Sequence, residues 1–175
     1  LAPPVDLWDR IRRGYAMPDL DTDLVRDREQ WYATRPDYIF RMTERSKKYL
    51  FYIVEELELR NMPTELALLP FIESAFNPQA VSSARAAGMW QFMPATAAGL
   101  GMEVSPLLDE RRDPERSTEA AIAFLSELRA QFGSWFIALA AYNSGPNGMR
   151  RVLDRYAPGV PPSDSLFWAL RRHFP

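Results

Sequence analysis

Leu50-Phe51-Tyr52-Ile53-Val54-Glu55-Glu56-Leu57-Glu58 carries apolar side chains at 50, 53, 54 and 57. The spacing i, i+3, i+4, i+7 puts them on one stripe of an α-helix, with Lys47, Lys48, Glu55, Glu56 and Glu58 as its solvated face. Pro36 can open this helix, because proline is tolerated in a first turn, so the pattern predicts one long helix from there. Upstream, residues 6–13 predict a short helix bearing Leu7, Trp8 and Ile11, and Asp21 is placed to cap a second that runs to about Thr34. Downstream, Pro63 starts a helix in which Leu66, Leu69, Pro70 and Glu73 share a face. Proline inside a helix removes a hydrogen bond, so at Pro70 the axis bends or a new turn begins. Residues 74–116 read as irregular, with short helical pieces near Trp90 and over 95–98, and with breaks at Gly99 and Gly101. Ser117 can cap a helix carrying Phe124, Leu125, Leu128 and Phe132 on one stripe, ended by Gly133. Residues 135–142 are apolar almost all round, the pattern of a buried central helix. A turn over 144–148, a helix over 149–155, a proline-stiffened loop and a last helix capped by Asp164 complete the chain. Strand-like alternation is scarce. The fold class is all-α, a single domain in which residues 1–60 form an N-terminal helical extension packed on residues 61–175.

The 175 residues are 47% hydrophobic and 25% charged, enough apolar surface for a real core in one domain. A net charge of -2 gives no ground for a nucleic-acid partner or an anionic membrane surface. Without cysteine there is no disulfide or thiolate metal site, and one histidine, His173, excludes a multi-histidine centre. No metal and no cofactor is expected, and a Ser-His-Asp triad would rest on His173 alone. No apolar run approaches the length of a membrane span. Leu1-Ala2-Pro3-Pro4 lacks the basic start and apolar core of a signal peptide, and the absence of an initial Met suggests a piece of a longer precursor.

The chemistry concentrates in residues 73–94: Glu73-Ser74-Ala75-Phe76-Asn77-Pro78, then Ser82, then Gly88-Met89-Trp90-Gln91-Phe92-Met93-Pro94. An acid that ends an apolar stretch stays protonated toward neutral pH and can donate a proton. Trp90, Gln91 and Met93 are suited to gripping a sugar. The plain alternatives are that Glu73 pairs with an arginine such as Arg85 and that Trp90, Phe92 and Met93 pack in the core. Tyr142 and Asn143 could likewise be no more than a helix end. Glycosidic cleavage commonly uses two carboxylates, but no partner for Glu73 stands out. Asp109, Glu110 and Asp113 lie among arginines and read as a solvated, salt-bridged loop, and Glu65 is expected to face solvent. One acid suffices where an acetamido group on the sugar stabilises the reacting centre and a sugar hydroxyl attacks in place of water.

Glu73-Ser74, Ser82, the Gly88-to-Pro94 turn and Ala141-Tyr142-Asn143 follow one another as in the lytic transglycosylase domain of the soluble-lytic-transglycosylase type (glycoside hydrolase family 23), a relative of goose-type lysozyme. The chain resembles in particular the membrane-bound lytic murein transglycosylase D group, also at Asp6-Leu7-Trp8-Asp9-Arg10-Ile11, Leu66-Ala67-Leu68-Leu69-Pro70, Arg85-Ala86-Ala87-Gly88 and Asp109-Glu110-Arg111-Arg112-Asp113. The resemblance covers nearly the whole chain. It implies a lysozyme-like fold and cleavage of the β-1,4 bond between N-acetylmuramic acid and N-acetylglucosamine without added water, leaving a 1,6-anhydro end. It implies Glu73 as catalytic acid and base, and substrate-binding positions at Ser82, Gln91, Met93, Tyr142 and Asn143. Implied partners are peptidoglycan glycan strands and other cell-wall enzymes, in the periplasm or cell envelope, with any lipid anchor in a longer precursor. Met89 stands where leucine is usual and Asn147 near a common glycine. The group usually continues past Pro175 with a segment that closes over the domain. Two alternatives remain at this point: a catalytically silent peptidoglycan-binding domain, and a hydrolytic muramidase.

Overall fold

The computed structural model describes residues 6–174. The reading of Leu1-Ala2-Pro3-Pro4 and the end at Pro175 lie outside them. Ten α-helices and three short 3-10 helices make up the regular structure of the described residues, and strand-type pairing is limited to isolated bridges between 81 and 87, 87 and 92, and 104 and 109. The chain divides into two compact units, Leu1–Ala120 and Ala121–Pro175.

In the first unit, α1 (Leu7–Arg13) begins where the Asp6 carboxylate accepts the Trp8 N–H. Before α2 (Asp23–Ala33) the cap is Thr22, not Asp21. Thr22 takes the extended backbone a cap needs and its hydroxyl accepts the Val25 N–H, while Asp21 pairs with Arg26. The long helix predicted from Pro36 is two, α3 (Pro36–Ser46) and α4 (Leu50–Leu59). The Ser46 hydroxyl donates to the Thr43 carbonyl, 2.8 Å, and such back-bonding competes with the helix ladder at the point where it breaks. The stripe on α4 is correct: Leu50, Ile53, Val54 and Leu57 are buried.

Residues 64–74 take the second course open to a proline-bearing helix. A 3-10 helix over Thr64–Leu68 gives way to α5 (Leu69–Ser74), so Pro70 falls in a first turn, where its missing N–H costs nothing. The N-terminal segment is fastened to this region. The Thr64 hydroxyl donates to the Ile11 carbonyl, 2.5 Å, and the Trp8 and Phe71 rings lie 5.9 Å apart. Glu65 does not face solvent. Its Oε1 accepts the N–H groups of Ala16 and Met17, both at 2.8 Å, and its Oε2 is buried. Short α6 (Pro94–Gly99) follows, and α7 (Pro114–Phe132) opens three residues before the expected Ser117. Asp113 is its cap, accepting the Arg116 N–H at 2.7 Å, and the buried Ser117 hydroxyl donates back to the Asp113 carbonyl.

The second unit builds its core from Leu128, Phe132, Ile137, Ala138, Ala141 and Met149. It holds α8 (Trp135–Ser144), α9 (Pro146–Tyr156) and α10 (Asp164–Leu170). The cap of α10 is Ser163, whose hydroxyl accepts the Leu166 N–H. Asp164 instead accepts from the Ser134 hydroxyl. No helix of the described residues is long and apolar enough to cross a membrane.

Candidate functional site

Backbone strain marks the region before any side chain is considered. Among the described residues, non-glycine positions with positive φ are Asn61, Ala75, Phe76, Arg85 and Gln91. Four of these five fall between 75 and 91, and left-handed backbone at such residues costs free energy that the surrounding structure must supply. Ala75 and Phe76 end α5. The Phe76 N–H reaches back to the Pro70 carbonyl, 3.0 Å, and the Arg45 guanidinium donates to the Ala75 carbonyl, 2.8 Å. This tight ending sets Glu73 in the last turn of α5.

Glu73 is partly buried, and burial pushes its carboxyl above the ordinary glutamate range. No cation of the described residues lies within ion-pair distance of it, and the alternative pairing with Arg85 does not occur. The neighbouring Ser74 hydroxyl donates to the carbonyls of Met89, 2.9 Å, and Pro70, 3.1 Å, which ties the end of α5 to the Gly88-to-Pro94 turn.

That turn is closed by reciprocal hydrogen bonds between Ala87 and Phe92, 3.0 and 3.2 Å. Gly88 has φ +83, and a Cβ there would sit 1.8 Å from the Arg111 carbonyl oxygen, so no other residue fits. The Gln91 side-chain amide donates to the Gly88 carbonyl, 2.8 Å, and lies 3.3 Å from that of Ala80. The Ser82 hydroxyl accepts the Ala86 N–H at 3.0 Å and steadies the preceding turn. Met93 keeps 44% of its surface exposed, ahead of α6. Trp90 is different: it is fully buried, its indole N–H donating to the Thr118 hydroxyl at 3.0 Å, and it therefore grips no sugar. Phe92 is also core.

The stretch 109–113 is salt-bridged as expected, with Arg112 and Asp113 exposed, but its centre is not solvated. Arg111 is 7% exposed and makes a two-pronged pair with Asp109, both bonds 2.8 Å. Its remaining prong donates to the carbonyls of Arg85, 2.8 Å, and Phe92, 2.9 Å. The Arg111 hydrogen bonds hold the Asp109 carboxyl below the usual aspartate range. Arg111 is thus a strut under the loop that carries Ser82 and Gln91. A charge-rich pentapeptide looks the same in sequence whether it is solvated or buried. The one signal was Gly88, whose required close approach needs a partner.

Tyr142 and Asn143 lie in the last turn of α8, in the second unit. Tyr142 is half-buried against that unit's core, its ring 5.7 Å from Phe124, and Asn143 is exposed. His173 stacks on Tyr156, ring centroids 3.7 Å apart. In the first unit, a hydrogen bond from Ser74 ties the last turn of α5, which bears Glu73, to the turn that bears Gln91. Arg111 supports the loop from Ser82 to Phe92, just before Met93, and the other two candidates sit on a separate element.

Residues 52–158 match the family described as Transglycosylase SLT domain. The chain is 37% identical, over 97% of its length, to membrane-bound lytic murein transglycosylase D of Escherichia coli (strain K12), and it covers 37% of that protein. It is 31% identical, over 70% of its length, to membrane-bound lytic murein transglycosylase C of Glaesserella parasuis, covering 38% of it. It is 32% identical, over 63% of its length, to the protein of the same description from Haemophilus influenzae (strain PittGG), covering 35% of that one. The chain therefore spans well under half the length of these curated relatives. A match over most of the chain means that the chain belongs to the transglycosylase SLT domain family, with its lysozyme-like all-α fold.

Proposed function

We propose that the chain is the catalytic part of a peptidoglycan lytic transglycosylase. It cuts the β-1,4 bond between N-acetylmuramic acid and N-acetylglucosamine. The observation that carries this reading is Glu73, a carboxyl raised by burial and free of a cationic partner, at the strained end of α5. An acid so placed keeps its proton to higher pH than an ordinary glutamate, and the protonated form can donate it to the glycosidic oxygen. As that bond breaks, the acetamido group of the muramic acid stabilises the electron-poor C1. The C6 hydroxyl then attacks C1, and its proton passes to the Glu73 carboxylate, which restores the acid and leaves a 1,6-anhydro ring.

Ser82, Gln91 and Met93 line the glycan cleft in this reading. The pinning of Gln91 and Ser82 by the backbone supports a pre-set site. Tyr142 and Asn143, at the end of α8, are the other substrate-binding candidates that the family resemblance implies. Residues 1–60 form an extension packed on a catalytic domain of residues 61–175, a division supported by the bonds from Thr64 and Glu65 to the N-terminal segment. Action in the periplasm or cell envelope follows from the substrate.

The test is mass spectrometry of fragments released from purified peptidoglycan by wild type and by Glu73→Gln. Anhydro products, lighter by one water than hydrolytic ones and absent with the variant, are expected. Reducing-end products would make the chain a muramidase. Binding to sacculi without release by either protein would make it a binding domain.

A further inference from the structure

The helix that bears Glu73 ends at Ser74, and the chain then takes two left-handed residues in succession, Ala75 at φ +50 and Phe76 at φ +58. Neither is glycine, so each costs free energy that the surroundings must supply. Part of the hold is local. The Ala75 N–H donates to the Phe71 carbonyl, 3.1 Å, and the Phe76 N–H to the Pro70 carbonyl, 3.0 Å. The Ala75 carbonyl finds its partner far along the chain. The Nε of Arg45, in the last turn of α3, donates to it at 2.8 Å from a residue 30 positions earlier. A cation suits a helix C-terminus, where unsatisfied carbonyls collect, and a guanidinium keeps its donors in one fixed plane. Nothing on α3 draws Arg45 away: the neighbouring Glu44 pairs with Lys47, and Arg45 makes no ion pair among the described residues. Nor does it pair with Glu73, whose carboxyl is raised by burial. Arg45 therefore touches the backbone two residues after the acid and not the acid itself. It also lies before residues 52–158, the range of the family match.

We propose that Arg45 is a positioning residue for Glu73: its hydrogen bond to the Ala75 carbonyl holds the left-handed exit from α5 and so fixes where the acid stands, an inference that rests on the catalytic role proposed for Glu73. A six-residue helix has little of its own to resist fraying. With the bond gone, Ala75 and Phe76 can relax toward ordinary backbone, the last turn of α5 loosens, and water reaches the carboxyl. The bond also gives the N-terminal extension a part in the reaction, because Arg45 is supplied by residues 1–60.

The experiment uses the 175-residue chain and Arg45→Met, which keeps an unbranched stem and removes every donor. Turnover of soluble glycan strands is measured well below the melting midpoint of each protein. Arg45→Met is expected to lose about tenfold or more in kcat with KM nearly unchanged, as for a reacting group moved by a fraction of an ångström. A lower Tm with kcat intact would make the bond an ordinary structural one and overturn the proposal, and so would a change confined to KM. A second measurement needs no turnover: NMR titration of the Glu73 carboxyl in both proteins. Loss of position admits water to the acid and should move its titration down, toward the ordinary glutamate range. Loss of a nearby positive charge acting through space would move it up. A downward move supports the proposal, and an unchanged or upward one overturns it. If wild type cuts no strand and the downward move is still seen, the enzymatic reading falls and Arg45 stands as the residue that places Glu73.

Discussion

Glu73 shows how one side chain couples stability to chemistry. Burial raises its pKa in the folded chain above the unfolded value. The favourable contribution of the protonated form is therefore present in full below the unfolded pKa and is lost as pH rises through the folded one. At neutral pH the carboxylate is a burden on the fold. Glu73→Gln should raise Tm at pH 7, with a gain that shrinks toward pH 4, where both side chains are neutral. Thermal melts at the two values check this, and a gain independent of pH would mean that burial is not the cause. The same variant should lose about 10^3-fold or more in turnover, the scale of a general acid's contribution. The wild-type rate should fall on the alkaline side with an apparent pKa above that of an ordinary glutamate. The spacing from Leu66, Leu69 and Pro70 places Glu73 on an apolar face in the sequence itself. Trp90 could not be read that way, because a tryptophan in a Gly-aromatic-Gln turn looks the same pointing at a sugar or at Thr118.

At the scale of elements, the loop over 80–93 depends on a short charged segment, 109–113, whose composition alone does not show it to be a support. Arg111 supplies two hydrogen bonds to the loop's carbonyls, and Asp109 holds Arg111 in place. Breaking a buried pair leaves an uncompensated charge. Asp109→Asn should thus cost about 3 kcal/mol, the low end of the range because the Asp109 side chain is 17% exposed. Chemical denaturation measures it, and turnover should fall as well although neither residue is assigned to touch the sugar. An unchanged midpoint would mean that Arg111 finds another acceptor. Gly88→Ala should be worse, about 3 kcal/mol or more, because strain at φ +83 adds to the collision with the Arg111 carbonyl. Elements with a strong apolar pattern were legible: the stripe of α4 is buried although its helix is shorter than expected, α7 carries its apolar stripe, and α8, apolar almost all round, supplies core residues. Their ends were less so. Thr22, Asp113 and Ser163 take the caps expected of Asp21, Ser117 and Asp164. Several capping residues lie within a few positions of each start, and backbone angles choose among them.

At the scale of the molecule, the question is whether residues 1–60 are an accessory or part of the fold. Ile11, Leu50, Ile53, Val54 and Leu57 all lie in that segment and are 2% exposed or less. Burying such a side chain contributes about 1.5–3 kcal/mol, so the five together stand on the order of 10 kcal/mol, comparable with the whole stability of a typical domain. Polar fastening adds to this through Thr64 on the Ile11 carbonyl and Glu65 on the N–H groups of Ala16 and Met17. Without the segment, Leu66 and Ala67 would lose part of their cover and the Glu65 carboxylate both its donors. Residues 61–175 alone should therefore lack a cooperative thermal transition and near-ultraviolet circular dichroism, while the 175-residue chain shows both. Glu65→Ala in that full chain is the graded version of the same test, with an expected loss of about 2 kcal/mol and faster proteolysis near residues 14–22. A cooperative melt from residues 61–175 would make the extension a detachable module. Its absence would mean that the helix bearing Glu73 is built on the N-terminal segment, and that activity and stability fail together when that segment is removed.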